Sequence, residues 1–355
     1  MIRGSQTRRT RATVLGLAVI MLVLASGPAR AQTPAEVDAA LQATFTKYKA
    51  LQEGKNADYI PALAKVDPKL FGIALVTADG KVHTAGDVAT EVSIQSISKV
   101  FTMACVIQEQ GPDAVLKTIG VDATGMRFNS IVSVELSYKL AGGPEMNPLV
   151  NPGAISATSM VQGATSEAVW AKIIGTHNDC AGRELKVLQD VYKSESDTNQ
   201  RNQAIGMLMY AYGYIKAKPE QAVDLYTRQC SIGVNAKDLA MMAATLAFGG
   251  RNPVTGRQVF DAENVPGILA VMATAGLYDD SGKWLFATGL PAKSGVGGGL
   301  IAVSPGKFGI AVVSPPLDEA GNSVRAQKAI ADISNALGGN PYASKASAAG
   351  AAKGK

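Results

Sequence analysis

Short apolar runs lie towards both ends of the chain, and helix-like spacing dominates between them. Residues 70–77, the turn Ala78-Asp79-Gly80 and residues 81–85 predict a β-hairpin, because an apolar run closed by Asp-Gly turn chemistry suits a buried strand. Residues 284–290, 300–304 and 308–313 predict three further short strands, and 322–337 a helix. From about 96 to about 275 apolar residues recur at helical spacing, as in 200–216 and 236–248. The latter has Asn235 placed to cap its start and Gly249-Gly250 to stop it. The simplest architecture is one sheet built from both ends of the chain, about 65–95 and 284–337, with a helical subdomain inserted between them, an α/β chain of the α+β kind.

The two extremities follow different rules. Residues 1–31 read as an export signal: an arginine-bearing start, an apolar run over 14–25, and Ala29-Arg30-Ala31 before Gln32, the small-x-small pattern of a cleavage site. Twelve apolar residues are too few for a spanning helix, which needs roughly 20. The expected mature protein begins at Gln32, is periplasmic or secreted, and makes no membrane contact once the signal is removed. Residues 338–355, rich in Ala, Gly, Ser and Lys, predict a solvated tail. The catalytic domain is thus expected over 32–337.

Charge and composition narrow the chemistry. The formal charge of +5 comes from the ends: five arginines precede residue 32 and three lysines follow residue 340, with no acid in either stretch. The body between them is slightly acidic, which removes the basis for nucleic-acid binding. With two histidines, His83 and His177, and three cysteines, a multi-ligand zinc site has almost no ligands to draw on. Cys105, Cys180 and Cys230 show no tight disulfide spacing and read as buried thiols. Neither G-x-x-x-x-G-K-[ST] nor G-x-G-x-x-G occurs; Leu300 stands where the latter needs its last glycine after Gly295 and Gly297. No metal or organic cofactor is expected.

Two short motifs carry the candidate chemistry. Gln95-Ser96-Ile97-Ser98-Lys99 opens an apolar helix, placing Ser96 and Lys99 three residues apart on one face. A serine hydroxyl becomes a competent nucleophile when a base takes its proton, and a lysine serves as that base only if burial or neighbouring cations disfavour its charged form. Taken alone, S-x-x-K is more often a solvated helix start. The second motif, Lys293-Ser294-Gly295-Val296 before Gly297-Gly298-Gly299 and a strand, is a K-[ST]-G arrangement like that of penicillin-recognising acyl-enzymes, and the two lie at opposite ends of the helical insert. Backbone N–H groups of Ser96 and Val296 are then placed to form an oxyanion hole.

With these motifs the chain closely resembles the serine-dependent glutaminases, enzymes that hydrolyse L-glutamine to L-glutamate and ammonia on a β-lactamase/transpeptidase-like fold. The resemblance runs from about residue 58 to residue 323. Besides the two motifs it rests on the stretches 57–61, 147–155, 194–202, 225–231 and 276–282. It implies Ser96 as nucleophile, Lys99 as its base and Tyr278 as a phenol assisting proton transfer. It further implies substrate contacts from Tyr59, Asn151, Glu195, Asn202, Tyr226 and the Val296 backbone, and a homo-oligomer, dimer or tetramer. These residue types suit a zwitterionic amino acid: Glu195 can pair with the α-ammonium, and the amides and phenols can bind the carboxylate or side-chain amide. Glu195 and Asn202, seven apart, share a face if their segment is one helix. Pro152 stands where the family usually has alanine, removing one backbone N–H and fixing φ beside Asn151. Two other readings are a β-lactamase or transpeptidase on the same architecture, and a non-catalytic exported protein that binds glutamine.

Overall fold

The computed structural model describes residues 1, 32–139 and 146–343. Residues 2–31 of the expected export signal and residues 344–355 of the expected tail lie outside the described residues.

The sheet has five strands, all antiparallel, in the order β2-β1-β7-β6-β5: β1 is Gly72–Thr77, β2 Val82–Gly86, β5 Ala292–Ser294, β6 Gly299–Ser304 and β7 Phe308–Val313. Strands β1 and β2 form the expected hairpin. Its turn is held by Asp79, whose carboxylate accepts from the Thr77 hydroxyl at 2.6 Å, while Gly80 takes the positive φ of 79°. The first and last parts of the chain meet where β1 pairs with β7, with Leu75 opposite Ile310. A second, two-stranded sheet joins β3, Val92–Ser93, to β4, Gly233–Val234.

Because side chains alternate across a strand, the sheet divides its apolar residues between two faces. Ile73, Leu75, Leu300, Ala302, Ile310 and Val312 pack with the helices Pro34–Tyr48 and Val324–Ala336. Ala74, Val76, Ile301, Val303, Ala311 and Val313 face the helical insert. With both faces covered, the strands read as continuous apolar runs although they are antiparallel. Helix Ala236–Ala247 lies directly on the insert face; Asn235 and Asp238 close a capping box at its start, and Gly249 and Gly250 follow its end at φ 67° and 81°. Its approach is so close that a Cβ on Gly309 would lie 2.1 Å from the Ala244 nitrogen.

Three expectations need correction. Residues 284–290 are not a strand: helix Ser281–Thr288 occupies them and ends on Gly289 in the left-handed conformation. The buried positions, Trp284 and Thr288, are four apart, and Phe286 between them is 94% exposed, which is helical spacing. The helix expected over 200–216 stops at Ala211, with Gly213 turning the chain at φ 76°. Glu195 and Asn202 belong to two helices, Gln189–Thr198 and Gln200–Ala211, separated at Asn199, so they do not share the face of one helix.

Candidate active site

Ser96 sits in a tight 3₁₀ turn, Gln95–Ile97, that runs into helix Ser98–Gln110. Gln95 enters the turn with φ 52°, a region seldom adopted by residues other than glycine, and its carbonyl accepts from the Ser98 hydroxyl at 2.7 Å. Lys99 follows one turn later. It is fully buried, and its Nζ is hydrogen-bonded to Ser96 Oγ. Ile97, Val100 and Phe101 are buried beside it. Burial draws the Lys99 pKa down to about 8, against smaller opposing effects of Cys230 and Glu195. Its Nζ also lies 5.4 Å from the centre of the Tyr226 ring.

The K-S-G segment forms the opposite wall. Its glycines are required by close approach to the serine turn: a Cβ on Gly295 would meet the Ile94 carbonyl oxygen at 2.7 Å, and one on Gly297 would meet that of Ser93 at 2.4 Å. This places Val296 beside the turn that carries Ser96. Lys293, fully buried, donates to the carbonyls of Gly276 and Ser294, both at 2.8 Å, and lies 4.0 Å from the centre of the Tyr278 ring. Burial and then the neighbouring Lys99 amine hold its pKa well below the usual lysine range.

Tyr278 is a second strained residue, at φ 58°. Ser281 braces it, accepting from Leu277 N at 3.0 Å and donating to the Tyr278 carbonyl at 2.7 Å. Its phenol lies 3.4 Å from the Ser294 carbonyl oxygen. Burial pushes its pKa up to about 12, only partly offset by hydrogen bonding with Ser96 and then Ser294, so the group is a protonated phenol. Its ring packs on Phe128, centroids 4.9 Å apart.

The polar residues expected to hold a substrate converge on the same place. Asn151 begins helix Asn151–Met160; its Oδ1 accepts from the Tyr226 hydroxyl at 3.0 Å and its Nδ2 donates to Asn202 Oδ1 at 3.0 Å. Its backbone N–H donates to the Phe128 carbonyl at 2.7 Å. Pro152 lies in the first turn of the helix, where backbone N–H groups lack a partner within the helix, so it costs no helical hydrogen bond. Glu195 is buried, and its carboxylate accepts from Gln95 Nε2. Burial raises the Glu195 pKa to about 7, against the opposing Gln95 bond and the Lys99 charge. Tyr59, 55% exposed, and Val296 lie on the wall of an open cleft of about 850 Å³ that also includes Phe128, Arg127, Asp279 and Gly321.

The nine residues singled out from the sequence are therefore drawn from separate stretches into one neighbourhood. Sequence reasoning gave no side-chain role to Gln95, Lys293 or Cys230. Gln95 and Lys293 lay within the two motifs already noticed and Cys230 within the stretch 225–231, but nothing in the sequence assigned their side chains a contact. Cys105, Cys180 and Cys230 are all buried free thiols, and the Cys230 pKa is pushed up to about 12 by burial and then the nearby Glu195 carboxylate. His83 pairs through Nδ1 with Asp38 Oδ1 at 2.6 Å, and buried His177 through Nδ1 with the Ile173 carbonyl at 2.7 Å.

Comparison with known proteins converges on one family. The glutaminase family model matches residues 54–342. The glutaminase of Colwellia psychrerythraea is 50% identical over 306 residues, covering 86% of this chain and 97% of its own. That of Brucella canis is 51% identical over 292 residues, 82% of this chain and 91% of its own. Among solved structures, the probable glutaminase ybaS superimposes with a TM-score of 0.85 at 45% identity, over 88% of this chain and 100% of the other. Mglu in its glutamate form gives 0.82 at 34% identity, over 89% and 71%. The antiparallel sheet and its helices are the β-lactamase-like fold of these neighbours. The chain belongs to the glutaminase family and is an amidohydrolase that converts glutamine to glutamate.

Proposed function

We propose that this glutaminase works through a glutamyl ester on Ser96, with Lys99 as the base. The observation that carries the reading is the buried Lys99 amine, hydrogen-bonded to the Ser96 hydroxyl and held at a pKa of about 8 by its dry surroundings. In its neutral form the amine accepts the hydroxyl proton as Ser96 attacks the side-chain carbonyl carbon of L-glutamine. The N–H groups of Ser96 and Val296 receive the developing oxyanion. Collapse of the tetrahedral intermediate breaks the C–N bond, and ammonia leaves with a proton returned from Lys99 through the Tyr278 phenol. Water then attacks the ester carbonyl as the same amine takes its proton; the C–Oγ bond breaks, the amine returns the proton to Ser96 Oγ, and glutamate departs.

Recognition follows from charge and donor geometry. Glu195 takes the α-ammonium, a charge-assisted contact that also repays the carboxylate for its burial. Asn151, Asn202, Tyr226 and Tyr59 supply amide and hydroxyl groups for the carboxylate and carboxamide. We also infer export, with cleavage after Ala31, and assembly into a dimer or tetramer.

Purified wild type and Ser96→Ala, assayed for glutamate release beside a chromogenic β-lactam, test the reading. The expected result is loss of about 10⁴- to 10⁶-fold in kcat in the variant with the fold retained, and no β-lactam turnover by the wild type. Substantial glutamate release by Ser96→Ala excludes the mechanism.

A further inference from the structure

Gln95 has no part in the chemistry above, yet it touches both halves of the site. Its backbone, at φ 52°, sets the turn that presents Ser96. Its buried side-chain amide has two N–H donors on Nε2, and that nitrogen reaches Ser93 Oγ at 3.0 Å and Glu195 Oε1. The side chain is walled in by the glycine run: an added Cβ on Gly295 would lie 3.3 Å from Gln95 Cβ, and one on Gly297 3.4 Å from its Cγ. A single buried side chain thus spans from the nucleophile's turn to the carboxylate read as the α-ammonium subsite.

We propose that Gln95 is a positioning residue that couples occupation of the α-ammonium subsite at Glu195 to the presentation of Ser96, so that substrates bearing an α-amine are selected through turnover as well as through binding. The proposal rests on the reading of Glu195 as the ammonium site. An ammonium that docks on Glu195 fixes the carboxylate that Gln95 holds. Since Gln95 directly precedes Ser96, the carboxylate, the amide and the strained turn settle as one unit. A substrate without the amine leaves that unit unanchored at its far end.

The test uses L-glutamine and glutaramate, which is glutamine without its α-amine, under single-turnover conditions so that slow acylation is still read. The enzymes are wild type, Gln95→Ala, Gln95→Asn and Glu195→Gln. Asparagine tolerates the left-handed backbone but is one methylene too short for the Glu195 bond, which keeps the test available if the alanine variant misfolds. The expected result is that Gln95→Ala and Gln95→Asn lower the saturating rate for glutamine by about ten- to a hundredfold, the scale of one hydrogen bond to a charged group. The rate for glutaramate then stays within about threefold of wild type on the same scale. Equal loss for both substrates, or no loss for glutamine, overturns the coupling. Glu195→Gln separates this from the underlying reading: it is expected to weaken glutamine binding and spare glutaramate, and if it weakens both alike, the ammonium assignment itself fails.

Discussion

The two ends of the sheet's environment use burial for opposite purposes. Beneath the face covered by helices Pro34–Tyr48 and Val324–Ala336, burial gathers a hydrocarbon cluster that includes Ile73, Leu75, Leu300, Ile310, Ile330 and Ile333. Each contributes roughly 1.5–3 kcal/mol by leaving water, and none has chemistry to offer. At the other end, where β5 meets the serine turn, burial encloses two lysine amines, a carboxyl and phenols. There it costs stability, and the cost appears as reactivity: Lys99 drawn down to about 8, Glu195 raised to about 7 and Tyr278 raised to about 12. The same exclusion of water that holds the fold together sets the protonation states on which the reaction depends.

Substitutions in the two regions should therefore move opposite quantities. The largest effect is expected from Lys99→Met, which fills the same volume without an amine: kcat should fall by about 10⁴-fold or more, while denaturant unfolding shows a gain on the order of 1–4 kcal/mol. The sign of the pH dependence follows from the depressed pKa of the folded state. Below about pH 8 the wild-type fold bears the whole penalty of burying this lysine, so the gain is at its full size there; it fades as the pH rises towards the ordinary lysine value of 10.5. A variant that loses activity and stability together would break the contrast. In the apolar layer, Ile310→Ala is expected to cost about 2–5 kcal/mol with kcat for glutamine unchanged, checked by parallel unfolding and steady-state assays.

Intermediate effects sharpen the electrostatic side. For wild type, kcat/KM should decline as the pH drops through about 8 and again through about 7, because Lys99 must be neutral to act as a base and Glu195 ionised to hold an ammonium. In Glu195→Gln the lower of these two steps should disappear from a pH–rate series and the upper should stay. The smallest effect is expected far from the site: Thr33→Ala removes the capping box of helix Pro34–Tyr48 and should lower stability by about 1 kcal/mol, with no change in the pH profile.

What could be read from the sequence divides along the same line. Strands β1, β2, β6 and β7 and helix Ala236–Ala247 carried their own signals, since apolar runs, turn residues and caps are local. Ser96 and Lys99 were visible because a helix brings residues three apart together whatever the rest of the chain does. The misassigned segment over 284–290 is seven residues of mostly aromatic and apolar character, too short for its period to separate strand from helix; the tie is settled by Gly289 capping a helix and by the Trp284 indole donating to the Leu290 carbonyl at 2.8 Å. The two-residue strands β3 and β4 leave no pattern at all, since their pairing joins residues far apart in the chain. The Gln95–Glu195 link spans a hundred positions and is equally silent. The glycines of 295–299 were noticed as a run, but their reason, contact with the backbone of the serine turn, exists only in the folded chain.

The most direct test of the central claim is rapid-quench mass spectrometry of the enzyme turning over L-glutamine. The expected result is a transient adduct of one glutamyl group on the peptide that contains Ser96, formed and lost at rates compatible with kcat and absent from Ser96→Ala. A glutamyl group found on another residue, or undiminished hydrolysis by Ser96→Ala, would contradict it.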